Sequence, residues 1–469
     1  MKVIIAGLGD SGNYIARYLL EENFDITIID IDTQKIKLMS DNEEVAGIIG
    51  DITSIDTLNT ADIKSADIFI AATDKDEVNI LAIQLAKYFG VKYNLCVLKD
   101  SKFQSEAYKE VFHNKIIPVD DIISIDNSMI KSILEQIKYS YIKISNVLTF
   151  FSEKIKMFSV LCDEDSTAVN KTISSIYESI KDVPFRIVGI QNNNNFNMAV
   201  DGDIIREGDR VFVIVEEQYI NNVYSLFFDI DQSSNKFLES QSPNIIIDGD
   251  HPFIKTLAVN LAQVYSRIKV VSKSKNNAEN MLIAMDLEKY GIQLIEDDIM
   301  SDDYRNNYLK TKDDIIVLIN KDDNDTLLQS LFLKYQGFSN LFCYLNTDSS
   351  ESFLLSHQVN HIITPNYFRM SPILSYIRRG VIMNAYTLAK KVETMEIIVS
   401  ENSKIAGRKV SEIEVDGKFM VSMIIDEQGN VVKIESSTII KPQYQLIIVV
   451  LRKYIATMEE DFLQNIDNN

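Results

Sequence analysis

The sequence repeats itself, and the repeat limits the folds open to it. Residues 3–12, VIIAGLGDSG, read as a strand and a glycine turn. A helical pattern through Ile15, Leu19 and Leu20 follows, then the strand-like DITIID of residues 25–30. Residues 244–253, NIIIDGDHPF, restart the pattern, with a helical stretch through Leu257 and Leu261 and a second strand at 268–271. The apolar runs at 66–73 and 313–320 echo each other in the same way, each ending in a polar residue before a helix. Apolar strands joined by short helical connections predict parallel sheets covered on both faces.

Each α/β unit then runs into an amphipathic helix, through Ile130, Ile133, Leu134, Ile137 and Tyr141 in one half and Ile373, Leu374, Ile377 and Val381 in the other. Each half closes on a small β-rich module. Its signature is a strand, a turn and a last strand, at 184–191, 201–209 and 211–215 and again at 418–426, 438–442 and 446–451. The expected architecture is α/β: two tandem Rossmann-like doubly wound parallel-sheet domains, each followed by a small β-rich α+β module. The expected boundaries are 1–126 and 127–230 for the first domain and module, and 243–370 and 371–455 for the second. An acidic tail fills 456–469.

Composition narrows the function classes. At 469 residues, 46% hydrophobic and 25% charged, the chain reads as soluble and globular. No apolar run approaches the roughly 18–20 residues that span a bilayer, and the opening stretch is too short for a signal peptide. Direct lipid insertion is therefore not expected. The three cysteines, Cys96, Cys162 and Cys343, form no CxxC pair. They are read as core residues of a protein in a reducing cytoplasm. A net charge of −21 repels nucleic acid and anionic lipid, and suits a basic protein partner such as the cytoplasmic face of a membrane channel.

The chemistry-bearing signal is Gly7-Leu8-Gly9-Asp10-Ser11-Gly12, a GxGxxG between a strand and a helix, with Asp30 ending the next strand eighteen residues later. Gly7 permits the tight turn, Gly9 lets a phosphate approach the backbone, and Gly12 allows close helix–strand packing. The amides of residues 9–11 then face an anion at a helix N-terminus. Asp30 can accept from both ribose hydroxyls, and its charge disfavours the 2′-phosphate of NADP. A second cluster, Thr73-Asp74-Lys75-Asp76-Glu77-Val78-Asn79, lies at the carboxyl end of the next strand, where such sheets bind ligands. Its plainer reading is a helix start, with Thr73 or Asp74 as N-cap and Asp76 and Glu77 complementing the dipole.

Catalysis and metal binding find little support. The four histidines are His113, His251, His357 and His361. His357 and His361, spaced as one helical turn, lack a third ligand and are expected at the surface. Residues 322–325 lack the glycine and distal glutamate of a calcium loop and read as a solvated helix start. No GxSxG, HExxH or Walker lysine motif occurs, and no part of the chain is left over to hold a substrate. No catalytic residues and no metal are expected. The alternative to a regulator is a soluble NAD-dependent oxidoreductase with an unrecognised substrate.

GLGDSG, Asp30, Gly50-Asp51 and residues 71–79, AATDKDEVN, closely resemble the TrkA family of potassium-uptake regulators, which carry tandem RCK (KTN-type) NAD-binding folds with C-terminal RCK modules. The resemblance covers nearly the whole chain. It implies a non-enzymatic regulatory subunit, peripherally attached to the inner face of the cell membrane beside a TrkH-type potassium channel. It further implies a homo-oligomer, a tetrameric ring, holding NAD(H), ATP or ADP. On that basis Gly7, Leu8, Gly9, Asp10, Ser11, Asp30, Thr73 and Asp74 carry over as nucleotide contacts, with Gly12, Asp51 and Glu77 beside them. Where the family has an arginine-bearing strand, this chain has Leu95-Cys96-Val97-Leu98-Lys99; Val97 replaces the first arginine, and Lys99 stands in for the second. The second fold departs further. It has Gly249-Asp250-His251-Pro252 in place of a glycine-rich loop, and Lys273 near the position of the ribose-binding acid. It is expected to be a scaffold without a nucleotide.

Overall fold

The computed structural model describes residues 1–99, 103, 106–113, 119–123, 125–140, 142–151, 153–192, 195–229, 243–273, 290–309, 311–312, 314–359, 361–377, 382–389, 392–455 and 457–458. Tyr141, Val381 and the tail beyond 458 lie outside them. The chain forms two compact units. One comprises Met1–Met129 with Pro365–Ile373, the other Ile130–Thr364 with Leu374–Asn469.

The first unit holds a parallel six-stranded sheet. Its strands are β1 (Lys2–Ala6), β2 (Asp25–Asp30), β3 (Ala46–Ile49), β4 (Ile68–Ala71), β5 (Tyr93–Val97) and β6 (Asp121–Ile123), in the order β3-β2-β1-β4-β5-β6. This is the doubly wound order, in which the connections diverge between β1 and β4. The central strands are apolar throughout because helices cover both faces. Between them run α1 (Asp10–Leu20), α2 (Thr33–Asn42), α3 (Ile55–Thr60) and α4 (Asp76–Tyr88), followed by α5 (Glu106–His113) and α6 (Ile125–Lys138). Asp32 caps α2 by accepting from the amides of Gln34 and Lys35, and Ser54 caps α3 by accepting from Thr57.

In the second unit, α6 feeds an antiparallel sheet of β7 (Ile144–Phe150), β8 (Ile155–Leu161), β9 (Phe185–Asn192), β10 (Asn195–Met198) and β11 (Arg210–Glu216). The next sheet is parallel. Its strands β12 (Ile245–Gly249), β13 (Ile268–Ser272), β14 (Gln293–Glu296), β15 (Ile315–Ile319), β16 (Leu341–Tyr344) and β17 (His361–Ile363) follow the order β14-β13-β12-β15-β16-β17, that of the first fold. The last sheet is antiparallel, with β18 (Ile382–Ala389), β19 (Val392–Ile398), β20 (Phe419–Ile425), β21 (Val431–Val432) and β22 (Gln445–Leu451).

The two antiparallel sheets share a core. Phe150, Met157, Phe212 and Ile214 of one pack with Val392, Met423, Ile447 and Val449 of the other, while Val211, Val213 and Val215 face the first module's own core. Burial on both faces explains why β11 reads as one apolar run. Arg186 pairs with Glu414 at 2.6 Å across this interface, and the Phe151 amide donates to Glu396 at 2.9 Å.

The turns expected at 201–209 and 438–442 are present. Residues 201–209 form turns, because the Asp203 carboxylate accepts from the Val200 amide and Asp209 from the Arg206 amide; one bridge, Thr172 to Ile204, is what pairs there. Residues 438–442 likewise make a single bridge, Lys409 to Ile439. The hairpins β7–β8 and β18–β19 supply the remaining strands. His361 departs from its expected place at the surface. It lies in β17, buried, with its ring stacked 4.3 Å from Phe342, while His357 follows a separate helix, Glu351–Ser356. The two histidines share no helix face.

Candidate functional site

The site is built where β1 and β4 end. Gly7 has φ +105°, and a Cβ there would lie 2.7 Å from the Thr73 amide nitrogen, so the turn passes directly over the end of β4. A Cβ on Gly12 would lie 1.7 Å from the Gly7 carbonyl oxygen, which packs α1 against its own entry turn. Gly9 differs from both. Its φ of −71° suits any residue, and a Cβ there meets nothing within 4 Å. The fold does not need glycine at this position; open space above the helix N-terminus does. No side chain caps α1 at Gly9, and among the first-turn residues Asp10 is exposed and Ser11 half-buried. The N-terminal amides of a helix have no partner within it, so the turn offers donors to an anion.

Asp30 holds this turn. Its Oδ2 accepts from the Leu8 amide at 2.5 Å and its Oδ1 from the Asp32 amide at 2.8 Å, while the Gly7 amide donates to the Ile29 carbonyl at 2.8 Å. The Leu8 and Gly7 amides are thus committed within the protein, and the donors toward a ligand come from the first turn of α1. Each Asp30 oxygen keeps a lone pair for a ribose hydroxyl.

On the other side of the crevice, Asn79 is fully buried and knits two strand ends together. Its Oδ1 accepts from the Thr73 amide at 3.0 Å and the Thr73 hydroxyl at 2.5 Å; its Nδ2 donates to the carbonyls of Thr73 and Val97. The Lys99 amide donates to both oxygens of the buried Asp76 at 3.0 and 3.2 Å. The N-cap of α4 is Lys75, without a side-chain cap, in place of Thr73 or Asp74. Asp74, Glu77 and the Lys99 side chain are exposed on the rim. Asp51 is exposed after β3, its carboxyl held below the ordinary range by hydrogen bonds from the Thr53 amide and hydroxyl and by the charge of Lys75. Asp126, in the first turn of α6, is pushed up to about 6 by burial and by Asp76, against the opposing pull of Lys99.

Asp76 and Asn79 carry positioning roles that the dipole reading of this cluster missed. The second fold repeats one of these contacts, since Asp323 accepts from the Asn346 amide at 2.7 Å with the same spacing of 23 residues.

The second fold fills its own crevice. A Cβ on Gly249 would lie 2.0 Å from the Ile319 carbonyl oxygen, so the tight turn is retained. Asp250 then folds back to accept from the Lys321 amide at 2.9 Å, and Pro252 stands at the helix start. Sheet register puts Ser272 at the place of Asp30, because Asp248 pairs with Val271 as Ala6 pairs with Ile29; Lys273 is one residue further on, paired with Asp298 at 3.5 Å. Asp322 caps the helix Asp323–Tyr335, the solvated start expected of that acidic string.

The chain is similar to known proteins along its length. The TrkA-N domain model matches residues 3–125, and the TrkA-C domain model matches twice, at 157–227 and 394–463. The Trk system potassium uptake protein TrkA of Azorhizobium caulinodans is 23% identical over 98% of both chains, and that of Vibrio alginolyticus 22% identical over the same shares. A solved structure described as the GsuK channel bound to NAD superposes with a TM-score of 0.56 at 10% identity, over 98% of this chain and 78% of that one, a likeness of fold. With one TrkA-N match, two TrkA-C matches and whole-length relatives of one name, this chain belongs to the TrkA family of potassium-uptake proteins.

Proposed function

We propose that this chain is a nucleotide-binding regulatory subunit of a potassium-uptake system, cytoplasmic, held at the inner membrane face by a TrkH-type channel subunit, and without catalytic activity of its own. Gly9 carries the nucleotide half of this reading. It is a glycine that the fold does not require, at an uncapped helix N-terminus, with the Asp30 carboxylate at the neighbouring strand end. These residues fit an adenine dinucleotide, NAD(H), and equally ATP or ADP. The pyrophosphate would lie against the first turn of α1, the ribose hydroxyls would donate to Asp30, and Thr73, Asp51, Asp74, Glu77 and Lys99 would line the facing rim. Asp30 disfavours NADP by charge repulsion. The name shared by the relatives supports the same reading, as does the solved channel described as bound to NAD.

Control of the channel requires the nucleotide to favour one of two states. Asp126, Lys99 and Asp76 interact where α6 begins, so the end of the crevice and the helix leaving the first unit share one set of charges. Assembly as a homo-oligomer, a tetrameric ring, draws support from a repeated exposed stripe. Leu81 and Tyr88 of α4 are 50% and 80% exposed, and Leu328 and Tyr335, at the same positions of the helix Asp323–Tyr335, are 59% and 89% exposed. Residues seven apart share a helix face.

Co-purification tests the partner. The chain should be recovered from membranes with a potassium-channel subunit and released by high salt, which shortens the screening length to about 3 Å at 1 M. Recovery only in the soluble fraction, with potassium uptake unchanged on deletion, contradicts the reading.

A further inference from the structure

The second fold carries a buried carboxyl that the first fold lacks. Gly7 and Gly249 make the same turn over the end of the neighbouring strand, so the residues before them correspond: Ala6 in β1 and Asp248 in β12. Asp76 and Asp323 each accept from the amide 23 residues on, and six residues past them stand Ala82 and Gln329. Two alanines that pack in the first core are thus replaced by an acid and an amide. Asp248 is 1% exposed. Its Oδ2 accepts from Gln329 Nε2 at 2.7 Å, and Gln329 Oε1 accepts from Asn320 Nδ2 at 2.8 Å. Its Oδ1 is buried with no hydrogen-bond partner among the described residues.

One amide donor is poor compensation for an ionised carboxylate in a core. The surroundings add little. Lys273 favours the charge but is paired with Asp298, which opposes it, as does Asp250 on the following loop. Asp250 is itself engaged by the Lys321 amide, with the Lys321 ammonium 4.0 Å away and His251 beside it. The buried hydroxyl of Tyr304 is pushed up by burial and then by Asp248, with Asp297 and Asp314 adding to the rise.

We propose that Asp248 is a proton-operated latch of the second α/β fold: neutral, it is tolerated between β12 and the helix Asp323–Tyr335; ionised, it carries a buried charge that the single Gln329 donor does not offset, and the junction loosens. Burial pushes its carboxyl up to about 7, with Asp298 and Asp250 adding to the rise and Gln329 and Lys273 opposing it. The folded value therefore lies above the unfolded one. The stabilisation is complete below the ordinary carboxylate value and is lost as pH rises through about 7. Acidification below about pH 7 tightens this fold, while the first, with Ala6 and Ala82, has no such response at these positions.

Hydrogen exchange of the full-length chain without nucleotide, corrected for intrinsic rates, reads the latch directly. Protection of the amides of residues 245–248 and 315–319 should fall as pH rises from 5 to 7 and level off above about 7. Asp248→Asn, a permanent neutral isostere, should keep the low-pH protection throughout. Asp248→Ala with Gln329→Ala restores the alanine pair of the first fold and should be equally indifferent to pH. Protection in the wild type that does not change from pH 5 to pH 7, or a fall that persists in either variant, overturns the proposal.

Discussion

The Leu8 amide donates to Asp30 across 2.5 Å, so the acid that would receive the ribose also holds the turn that would receive the phosphates. Asp30→Ala should weaken NADH binding by about 1–3 kcal/mol, the usual loss for hydrogen bonds to a charged group. It should also narrow the preference for NADH over NADPH. Titration calorimetry with both nucleotides checks this; a wild type that prefers NADPH contradicts it.

Gly12 and Gly9 of the turn should separate by assay. Gly12→Ala drives a methyl into the Gly7 carbonyl and should cost about 1–3 kcal/mol of stability in denaturant unfolding. Gly9→Ala has open space and should stay within about 0.5 kcal/mol of wild type. Gly9→Asp should fold normally and lose nucleotide, because its carboxylate would occupy the approach of the phosphates.

Asp76 and Asp323 perform the same structural task, each accepting from the loop after the fifth strand of its sheet. Asp76→Ala and Asp323→Ala should each destabilise the protein by about 1–3 kcal/mol, since buried loop amides lose their acceptor. Only the first should change nucleotide affinity. Equal effects on binding would count against confining the site to the first fold.

The exposed tyrosines test assembly. Tyr88→Glu and Tyr335→Glu should leave the fold and its melting temperature near wild type while lowering the mass seen by light scattering after size exclusion. An unchanged mass in the double variant removes this stripe from the interface.

Much of the α/β architecture was legible because strands buried on both faces must be apolar along their length, as at 245–249 and 315–319. The small modules were less so. In β7, ISNVLTF, inward residues are interrupted by Ser145 and Asn146, and a bulge breaks the alternation that marks a strand. Residues 201–209 were readable as a turn, because Asp203 and Asp209 can fold the backbone onto their own carboxylates. At the site, the glycines and Asp30 were readable because backbone geometry restricts the residue type. Asn79 and Asp76 were not, because one side chain bridging two strand ends depends on a register that local sequence does not state. Sequence placed Lys273 near the counterpart of Asp30, and sheet pairing resolves that place to the neighbouring Ser272.

The most direct measurement is equilibrium dialysis of NADH against the full-length chain and its Gly9→Asp variant. Binding to the wild type should saturate near one nucleotide per chain, and the variant should bind none, since Asp250 and Ser272 leave the second crevice without the space or the acid that the first provides. Two equivalents per chain, or binding that survives Gly9→Asp, would contradict the account.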